Sequence, residues 1–451
     1  MTKALPVSCK VVTVELILLV VFLVYAESAM CAPQGTELKT AKRAAAVTLP
    51  DELSVKDRVE VFEEVWRTID EKYYDPSFNG VNWRSVHERY HGRLSSVTSD
   101  EDFYALLTQM VRELRDAHTR FRSPRQRQER KTRQVTSSGV SIGEVDQTPV
   151  VFGVSPDSES ARLGVKPGMV VQTIDGRPFV ERVAEARQEI GLSSSERVTR
   201  LLAYQRVLGG LPGTSFNLGL LRADGSPLTV TIKRYLSSTA PQVTTSLLPS
   251  GFGYIKFSSF RSSVVKQVKD ALKKFKSAPG VILDLRGNGG GDVLDMLKIA
   301  GYFFNSKAPV GQIITRTGKP PSFFLGLVQL PKEFYVGHDG GQLYGGPVVI
   351  LVNESTASAA ETFSYALQEN GRATIIGTQS CGCVLAVLKH REIRGGGELD
   401  VSEIAFVSPK GDKLEGIGIT PNQVVRLTLA DLQSHRDPVL EAAVSILTSL
   451  K

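Results

Sequence analysis

The alternation of apolar and polar positions divides the chain into regions with different periodicities. Apolar residues recur at helical spacing over residues 61–69 and again over 103–114, and each repeat follows a residue that can cap a helix, Ser54 and Thr98 respectively. The stretch YYDPSFNGVNW, rich in turn-forming residues, lies between the two repeats. These patterns predict amphipathic helices packed into an N-terminal helical unit, residues 51–123.

From residue 136 to residue 236, apolar and polar residues alternate with a period of two, as they do in half-buried strands. The segments SGVSIGEV and PVVFGVSP alternate in this way, and the later segment FNLGLLRADGSPLTVTIKRY predicts a hairpin that turns at Asp224 and Gly225. Residues 180–210 interrupt the strands with a helical pattern. We therefore predict a β-rich domain over residues 136–236 that contains a helical insertion.

From residue 237 onward, strands alternate with helices. FGYIKF, GVILDL, PVVILV and ATIIG are short apolar runs of the kind found in buried strands, and helical repeats such as VVKQVKDALKKF lie between them. Such alternation is typical of a layered α/β domain. The predicted fold class is therefore α/β, with a core at residues 237–430 and a C-terminal helix at residues 431–451.

The amino terminus has the order of features found in export signals. Lys3 and Lys10 precede the apolar run VVTVELILLVVFLVYA, and small residues follow it. We interpret residues 1–32 as a signal peptide and residues 33–50 as a spacer. The alternative is an uncleaved membrane anchor, although the run is shorter than the roughly 20 residues that a spanning helix needs. This interpretation predicts a periplasmic or extracellular protein, with membrane association through the N-terminal segment as the second option.

The net charge of +7 is concentrated in one stretch. Residues 120–133, RFRSPRQRQERKTR, contain seven basic residues and one acidic residue. A patch for nucleic acid or an anionic membrane is one interpretation of such a stretch. No known nucleic-acid-binding motif accompanies it, however. We therefore predict a solvated basic linker, residues 124–135, and no nucleic-acid partner.

The cysteines do not indicate a disulfide framework or a metal site. Cys9 and Cys31 fall within or at the edge of the export signal, which leaves Cys381 and Cys383 in the folded body. A pair spaced by one glycine is too sparse for a structural zinc site, which needs four ligands. We expect two small packing residues there, and the second hypothesis is a redox-sensitive loop. No metal or cofactor is predicted.

Two loops carry the candidate chemistry, because each follows an apolar strand and precedes a helix. The first, DLRGNGGGD at residues 284–292, is rich in glycine, which lets backbone N–H groups point into a cavity. The second, NESTASAAE at residues 353–361, puts serines at the start of a helix, where the helix dipole favours negative charge. Taken separately, the two loops are explained by a tight turn and a helix cap.

Together with LEGIGITPNQVV near the C terminus, and with VFEEVWRTIDEKYYD and LRDAHTRF near the start, these loops resemble the tail-specific, or carboxy-terminal processing, peptidases. The resemblance implies a serine endopeptidase with a ClpP/crotonase-like core and an inserted PDZ domain that binds substrate carboxy termini and gates the site. By position it implies Ser358 as the nucleophile. It also implies an oxyanion hole formed by the N–H of Ala359 together with that of Gly289 or Gly290.

The position of the usual general base departs from the family pattern. Most members have a lysine 25 residues after the nucleophile, and here that residue is Cys383. A branch similar to the tricorn core uses a histidine and a glutamate instead, which correspond to His118 and Glu415. That branch has a serine before its histidine, whereas this chain has Ala117. We predict Ser358, His118 and Glu415 as the catalytic set, since histidine titrates near neutrality and a carboxylate can orient it.

The same resemblance implies a peptide-binding loop in the β-rich domain. Backbone N–H groups of this loop hold a carboxylate while the next strand pairs with the peptide; its residues are Gly139, Val140, Ser141, Ile142 and Gly143. The predicted partners are protein or peptide substrates with apolar C-terminal tails, and self-association into a homo-oligomer is left open. Two other functions compete with the peptidase, namely a catalytically inactive peptide-binding scaffold and a carrier of hydrophobic ligands.

Overall fold

The computed structural model describes residues 52–323, 328–337 and 341–450. The predicted signal peptide and spacer lie outside these residues. Residues 320–330 belong to one compact unit, and the rest of the described chain belongs to another. The first unit contributes a short antiparallel hairpin, in which Ser322 lies opposite Gln329.

The N-terminal helical unit packs amphipathic helices around an aromatic and aliphatic core. Its helices are α1 Val55–Lys72, α2 Trp83–His91 and α3 Asp100–Arg112. Ser54 caps α1 by accepting the N–H of Asp57, as predicted. The helix α3 begins one residue later than predicted, because Ser99 rather than Thr98 accepts the N–H of Asp102. The predicted apolar faces are buried, and they include Val61, Phe62, Val65, Ile69, Phe103, Leu106, Leu107 and Met110.

The basic segment after this unit is a strand and a helix rather than a linker. Strand β1 spans Arg120–Arg122 and helix α4 spans Pro124–Lys131. The helix starts with a capping box and with a proline at its first turn, both of which stabilise helix N-termini. Arg122 and Arg130 donate to the buried carboxylate of Glu398 at 2.9 and 2.7 Å. Part of the positive charge of this segment is therefore neutralised within the chain.

The inserted β-rich region, residues 134–238, is built mainly from antiparallel strands. Its elements are β2 Gln134–Ser137, β3 Val140–Val145, β4 Thr148–Val154, α5 Glu159–Arg162, β5 Val170–Ile174, β6 Arg177–Pro178, α6 Phe179–Ile190, α7 Glu196–Leu208, β7 Ser215–Leu221, β8 Pro227–Lys233 and β9 Tyr235–Ser238. The strand order β3-β4-β5-β7-β8 puts β3 at an edge of the sheet. The predicted hairpin is present, with Leu221 of β7 opposite Pro227 of β8. The predicted helical insertion consists of α6 and α7.

The C-terminal region has the alternating strands and helices that the apolar pattern predicts. Its elements are β10 Val243–Leu247, β11 Gly253–Phe257, α8 Ser262–Lys274, β12 Val281–Asp284, α9 Val293–Gly301, β13 Ala308–Thr315, the hairpin strands β14 Ser322–Phe323 and β15 Val328–Gln329, β16 Glu333–Val336, β17 Val348–Val352, α10 Ala359–Glu369, β18 Thr374–Gly377, β19 Leu385–Ala386, β20 Arg391–Glu392, β21 Glu398–Asp400, β22 Ile404–Val407, β23 Gln423–Val424, α11 Leu429–Gln433 and α12 Pro438–Ser449. The central sheet has the order β10-β11-β12-β17-β18-β23, and its pairs from β11 to β23 are parallel. Because β12 and β17 are parallel neighbours, the loops that follow them lie side by side.

Two smaller sheets accompany the central sheet, and the second of them contains a strand of the N-terminal helical unit. One has the order β16-β13-β22-β19, and another has the order β1-β21-β20. In the latter, Phe121 of β1 lies opposite Leu399 of β21. This pairing carries the turn that precedes β1, which contains His118, to the C-terminal region. Among the described residues, no helix combines the length and the apolar composition required to cross a bilayer.

Candidate active site

The two candidate loops are tied to each other by hydrogen bonds. The N–H of Ala357 donates to the carbonyl of Asn288 at 2.9 Å. The hydroxyl of Thr356 donates to the carbonyl of Leu285 at 2.8 Å. Asn288 and Thr356 are completely buried, so water does not compete for these bonds. The loops after β12 and β17 therefore form one connected edge of the central sheet.

Ser358 lies at the turn from β17 into α10, in a backbone conformation that few residues adopt. Its φ is 57° and its ψ is −125°, and such a conformation typically costs about 1–3 kcal/mol for a residue with a side chain. A strained strand-to-helix turn of this kind exposes the nucleophile in some hydrolases. Ser358 is half-buried and directly precedes α10, whose N-terminus favours negative charge.

The backbone N–H groups around Ser358 differ in whether they are already bonded. Within the described residues, no hydrogen bond uses the N–H of Gly289 or that of Ala359. The N–H of Gly290, the other predicted donor, is occupied, because it donates to the side-chain oxygen of Asn288 at 2.9 Å. Gly290 instead provides space, since a Cβ at this position would lie 2.7 Å from the Cβ of Ser358. Of the three predicted donors, Gly289 and Ala359 are therefore the two whose N–H groups have no partner among the described residues.

The carboxylate of Glu361, in the first turn of α10, connects Ser358 to the cysteine loop, residues 379–385. Its Oε1 accepts the hydroxyl of Ser380 at 2.6 Å and the N–H of Gly382 at 2.7 Å. Its Oε2 accepts the N–H of Cys383 at 2.9 Å and that of Ser358 at 3.0 Å. Glu361 is completely buried, and this burial raises its pKa, while the hydrogen bonds act in the opposite direction. One buried carboxylate therefore fixes Ser358 and the cysteine loop relative to each other.

Cys381 and Cys383 form a disulfide bond, which corrects the expectation of two unpaired packing residues. The physical reason is the tight turn at Gly382, whose φ of 75° brings the two Cα atoms to 5.3 Å, within the range for a disulfide. Both cysteines are buried and pack against Val198 of α7. A disulfide-bonded Cys383 has no thiolate, so the lysine-equivalent position supplies no base.

His118 follows α3 in a turn that Asp116 stabilises. The N–H of His118 donates to Asp116 Oδ1 at 2.7 Å. Ala117 and Ala357, the residues before the predicted base and the predicted nucleophile, pack in one apolar cluster with the two cysteines. The Nδ1 atom of His118 is buried and has no hydrogen-bond partner among the described residues. Burial lowers the pKa of His118 to about 4, so the imidazole is neutral at pH 7.

Glu415 has one bonded and one unbonded carboxylate oxygen. Its Oε2 accepts the N–H of Val384 at 2.6 Å and that of Leu385 at 3.2 Å. Its Oε1 is buried without a hydrogen-bond partner among the described residues. Burial, followed by the nearby charge of Asp116, raises the pKa of Glu415 to about 8. Within the described chain, no hydrogen bond joins Glu415 to the Nδ1 of His118, so these two predicted catalytic groups are not paired.

The start of α7, in the inserted β-rich region, packs on the loops around Ser358. The hydroxyl of Ser195 donates to the carbonyl of Cys381 at 2.8 Å. The guanidinium of Arg197 donates to the carbonyl of Ser380 at 2.9 Å and to the carbonyl of Ile417 at 2.7 Å. The inserted region therefore holds the cysteine loop and the loop that contains Glu415 together.

The predicted peptide-binding loop lies at the start of the edge strand β3. Gly139 has a φ of 76°, and a Cβ there would lie 2.4 Å from the Cβ of Ser158. Ile142 is buried in the same apolar cluster as Tyr204 of α7, and the Tyr204 hydroxyl donates to Glu144 Oε2 at 3.1 Å. The other predicted residues pair with β4, and they are Val140, Ser141 and Gly143. The helix α7 thus lies along the edge strand.

Two residues that connect these loops were not predicted from the sequence. The sequence contains a signal for Glu361, because a serine followed three residues later by a glutamate is the capping-box pattern. That pattern indicates the bond to the N–H of Ser358 but not the bonds to the cysteine loop. No local pattern in the sequence indicates the role of Arg197, since its partners Ser380 and Ile417 lie 183 and 220 residues away in the sequence.

Two family models match the chain. Residues 251–425 match peptidase family S41, and residues 54–112 match the tricorn protease C1 domain. A carboxyl-terminal-processing protease of Synechocystis sp. is 27% identical over 411 residues, which are 88% of this chain and 89% of that protein. The chloroplastic carboxyl-terminal-processing peptidase 2 of Arabidopsis thaliana is 28% identical over 383 residues, which cover 80% of this chain and 68% of that protein.

Solved structures share the fold. The photosystem II D1 C-terminal processing protease superposes with a TM-score of 0.56 at 23% identity, over 87% of this chain and 97% of that one. Mature CPAF complexed with lactacystin superposes with a TM-score of 0.66 at 13% identity, over 88% of this chain and 98% of that one. The predicted α/β fold class is therefore confirmed, including the helical N-terminal region.

Proposed function

Because this chain belongs to the carboxy-terminal processing family of serine peptidases, family S41, we propose that it is an exported endopeptidase that processes or degrades proteins from an unstructured C-terminal tail. Ser358 is the nucleophile, His118 the general base and Glu415 the group that orients His118. The inserted β-rich region acts as a PDZ domain and binds the tail. No cofactor enters this chemistry.

The observation that carries the proposal is the environment of Ser358. A serine with a φ of 57° at the head of a helix is strained, and the strain keeps its side chain out of the helix. The N–H groups of Gly289 and Ala359 lie on the two loops that meet at this serine, and neither has a partner within the described residues. Two such donors stabilise the oxyanion of a tetrahedral intermediate, and removing one typically slows a hydrolase about 10²–10³-fold.

In the acylation step, Ser358 Oγ attacks the scissile carbonyl carbon while His118 takes the hydroxyl proton. The carbonyl oxygen becomes an oxyanion and accepts bonds from the N–H groups of Gly289 and Ala359. The protonated imidazole then gives its proton to the leaving amine, the C–N bond breaks and an acyl-enzyme remains. Water then attacks the ester carbonyl and loses a proton to His118, which passes it to Ser358 Oγ as the ester C–O bond breaks, so that Ser358 is regenerated and the new carboxy terminus is released.

The proposed role of Glu415 requires its free oxygen. Glu415 Oε1 and His118 Nδ1 are both buried and both lack a partner among the described residues, and unsatisfied buried groups of this kind are costly. A bond between them satisfies both atoms. It also leaves the other ring nitrogen of His118 free to take the proton of Ser358, as a general base requires.

The proposed tail site lies along β3 and α7. As an edge strand, β3 has backbone groups that an extended peptide can bond as an added strand. A cavity of about 570 Å³ opens between the β3–β4 hairpin, α6 and α7. Its lining includes Phe179, Val183 and Tyr204, which suits apolar residues of a substrate tail.

Labelling by a fluorophosphonate probe, together with cleavage of a partly unfolded protein, tests the proposed chemistry. We expect the parent protein to be labelled and to cleave, and we expect Ser358→Ala and His118→Ala to lose both activities while keeping the parent's circular dichroism spectrum. An active His118→Ala protein would contradict the catalytic assignment. Fractionation of cells that express the full chain tests export separately.

A second candidate function, a catalytically inactive peptide-binding scaffold, is favoured by the unpaired state of His118 and Glu415 and by the disulfide at the lysine-equivalent position. A scaffold binds a peptide with an apolar C-terminal tail but shows neither probe labelling nor cleavage. The same two assays therefore separate the candidates.

A further inference from the structure

Ser194 lies between two parts of the proposed site that are far apart in the sequence. Its Oγ accepts the N–H of Ala117, the residue before His118, at 3.0 Å. Its carbonyl oxygen lies against Gly416, 3.3 Å from the position that a Cβ would take there. Its hydroxyl also lowers the pKa of the adjacent Glu415. One serine of the inserted β-rich region thus contacts both the histidine turn and the glutamate loop.

The hydroxyl of Ser194 can accept one hydrogen bond and donate another, and Glu415 has an oxygen that lacks a donor. A serine hydroxyl that accepts one hydrogen bond still has its own proton to donate. Glu415 Oε1 has no partner within hydrogen-bonding geometry among the described residues, while the other oxygen already accepts two backbone N–H groups. Ala117 has no hydroxyl and therefore cannot donate a side-chain hydrogen bond to Glu415. A Ser194 hydroxyl that donates to Glu415 while it accepts the N–H of Ala117 therefore links Glu415 to the turn that carries His118.

The two neighbouring serines have other roles. Ser193 uses its backbone N–H, which donates to Thr199 Oγ1 at 3.0 Å. The hydroxyl of Ser195 caps α7 and donates to the carbonyl of Cys381 at 2.8 Å. Ser194, between them, is the serine whose hydroxyl bonds the turn before His118 and acts on Glu415.

We propose that Ser194 is a positioning residue of the peptidase site, which joins Glu415 to the turn of Ala117 and His118 and holds the carboxylate in reach of the imidazole. This role rests on the proposed function and deepens it, because a side chain of the substrate-binding region completes the catalytic site. Catalysis then depends on that region being docked on the core.

Steady-state kinetics of three variants test this role, with the parent enzyme and His118→Ala measured alongside. Ser194→Ala is expected to lower kcat about 10–100-fold, as loss of a group that orients a functional side chain typically does, with KM within about twofold of the parent. Ser194→Thr keeps the hydroxyl and restores kcat to within about threefold. Ser193→Ala is the matched control and keeps the parent's kinetics, because alanine retains the N–H that Ser193 uses.

A pH profile distinguishes positioning from a merely structural role. Because the Ser194 hydroxyl lowers the pKa of Glu415, its removal moves the rise of kcat with pH to higher pH. The other titratable groups that face Glu415 are unchanged in this variant, and they are Asp116, Glu361, Tyr73 and Tyr74.

The possible outcomes distinguish a failure of the Ser194 role from a failure of the proposed peptidase function. An active parent with a Ser194→Ala variant of unchanged kcat and pH profile overturns the role of Ser194 and leaves the proposed function standing. A variant that loses stability and activity together, with an unchanged pH profile and no rescue by threonine, also overturns it. An inactive parent, or an active His118→Ala protein, overturns the proposed function and this role with it.

Discussion

Replacing Glu361 with glutamine removes a single charge and almost no volume, yet the structure predicts a large effect. The carboxylate of Glu361 accepts hydrogen bonds from the side chain of Ser380 and from the backbone N–H groups of Ser358, Gly382 and Cys383. All four donors converge on a completely buried group. An amide has one oxygen and one NH₂ group, so it cannot accept all four bonds.

The size of the effect follows from the cheaper of the two amide orientations. With the nitrogen in the place of Oε1, the Ser380 hydroxyl can turn and accept, but the N–H of Gly382 faces another donor and loses its partner. An unsatisfied buried N–H costs about 1–3 kcal/mol, and the remaining bonds weaken by about 1 kcal/mol as the acceptor changes from charged to neutral. We therefore expect Glu361→Gln to lower the free energy of unfolding by about 2–4 kcal/mol, out of a typical total of about 5–15 kcal/mol.

Urea unfolding followed by intrinsic fluorescence measures this loss, and cleavage of a partly unfolded substrate measures its effect on the site. The matched control is Glu369→Gln on the same helix α10, where the carboxylate pairs with the exposed Lys410 at 3.0 Å. This control is expected to change the free energy of unfolding by less than about 0.5 kcal/mol. If Glu361→Gln is as stable as the control and as active as the parent, the cysteine loop is not held by Glu361 and the reasoning is wrong.

Three further predictions follow from neighbouring groups. Burial raises the pKa of Glu415 from 4.5 to about 8, so the folded protein holds a proton that the unfolded chain releases. Its free energy of unfolding should fall by up to about 1.4 kcal/mol per pH unit between these two values, and urea titrations of Glu415→Gln should lack this slope. Replacing Cys381 and Cys383 by serine should lower the free energy of unfolding by about 1–2 kcal/mol, because the disulfide closes a very short loop. The cleavage rate of this variant should stay within a few-fold of the parent. A loss of cleavage above tenfold, in the variant or on reduction of the parent, would support a redox-sensitive loop. Arg197→Ala should lower kcat/KM about tenfold, and Arg197→Lys should not restore it, since a single ammonium group does not reproduce the guanidinium fork.

Local periodicity was sufficient to predict the main elements of the fold. The apolar faces of α1 and α3 and the buried strands β12 and β17 each lie within one short window of sequence, and packing against a core then selects the same structure that the window favours. The loops at the carboxyl ends of β12 and β17 were predicted for the same reason, since a parallel sheet brings such loops to one edge.

The basic segment shows where composition misleads. Ser123, Pro124 and Gln126 are the ordinary signals of a helix start, and the helix α4 does begin there. The prediction of a linker gave more weight to the run of positive charges. Those charges are compensated by residues such as Glu398, which is 268 positions from Arg130 in the sequence, and no local window contains that partner.

The pairing of His118 with Glu415 could not be predicted from the sequence either, because the two residues are far apart along the chain. The two groups that the resemblance selects, His118 and Glu415, come from opposite ends of the chain, and whether their side chains meet depends on rotamers and on the inserted region packed between them. The candidate oxyanion donors remain a prediction, and one of them, Ala359, is named simply because it adjoins the predicted nucleophile Ser358. The choice between Gly289 and Gly290 still required the side chain of Asn288, which occupies one of the two N–H groups.

Because Cys383 stands where most relatives of this family have a lysine, the basicity of the proposed site depends on how His118 and Glu415 are paired. The pKa of His118 is lowered to about 4 and that of Glu415 is raised to about 8, and burial, which disfavours the charged form of each group, is the main cause of both shifts. An imidazole with so low a pKa is a weak base, and a protonated carboxyl cannot stabilise an imidazolium. Bringing Glu415 Oε1 to His118 Nδ1 reverses both shifts at once, since an anion beside the ring favours its protonated form and the imidazolium favours the anion. On the proposed mechanism, the contact between these two unpaired atoms therefore makes His118 more basic as well as orienting it. His118 can then take the proton of Ser358 and activate this serine as a nucleophile.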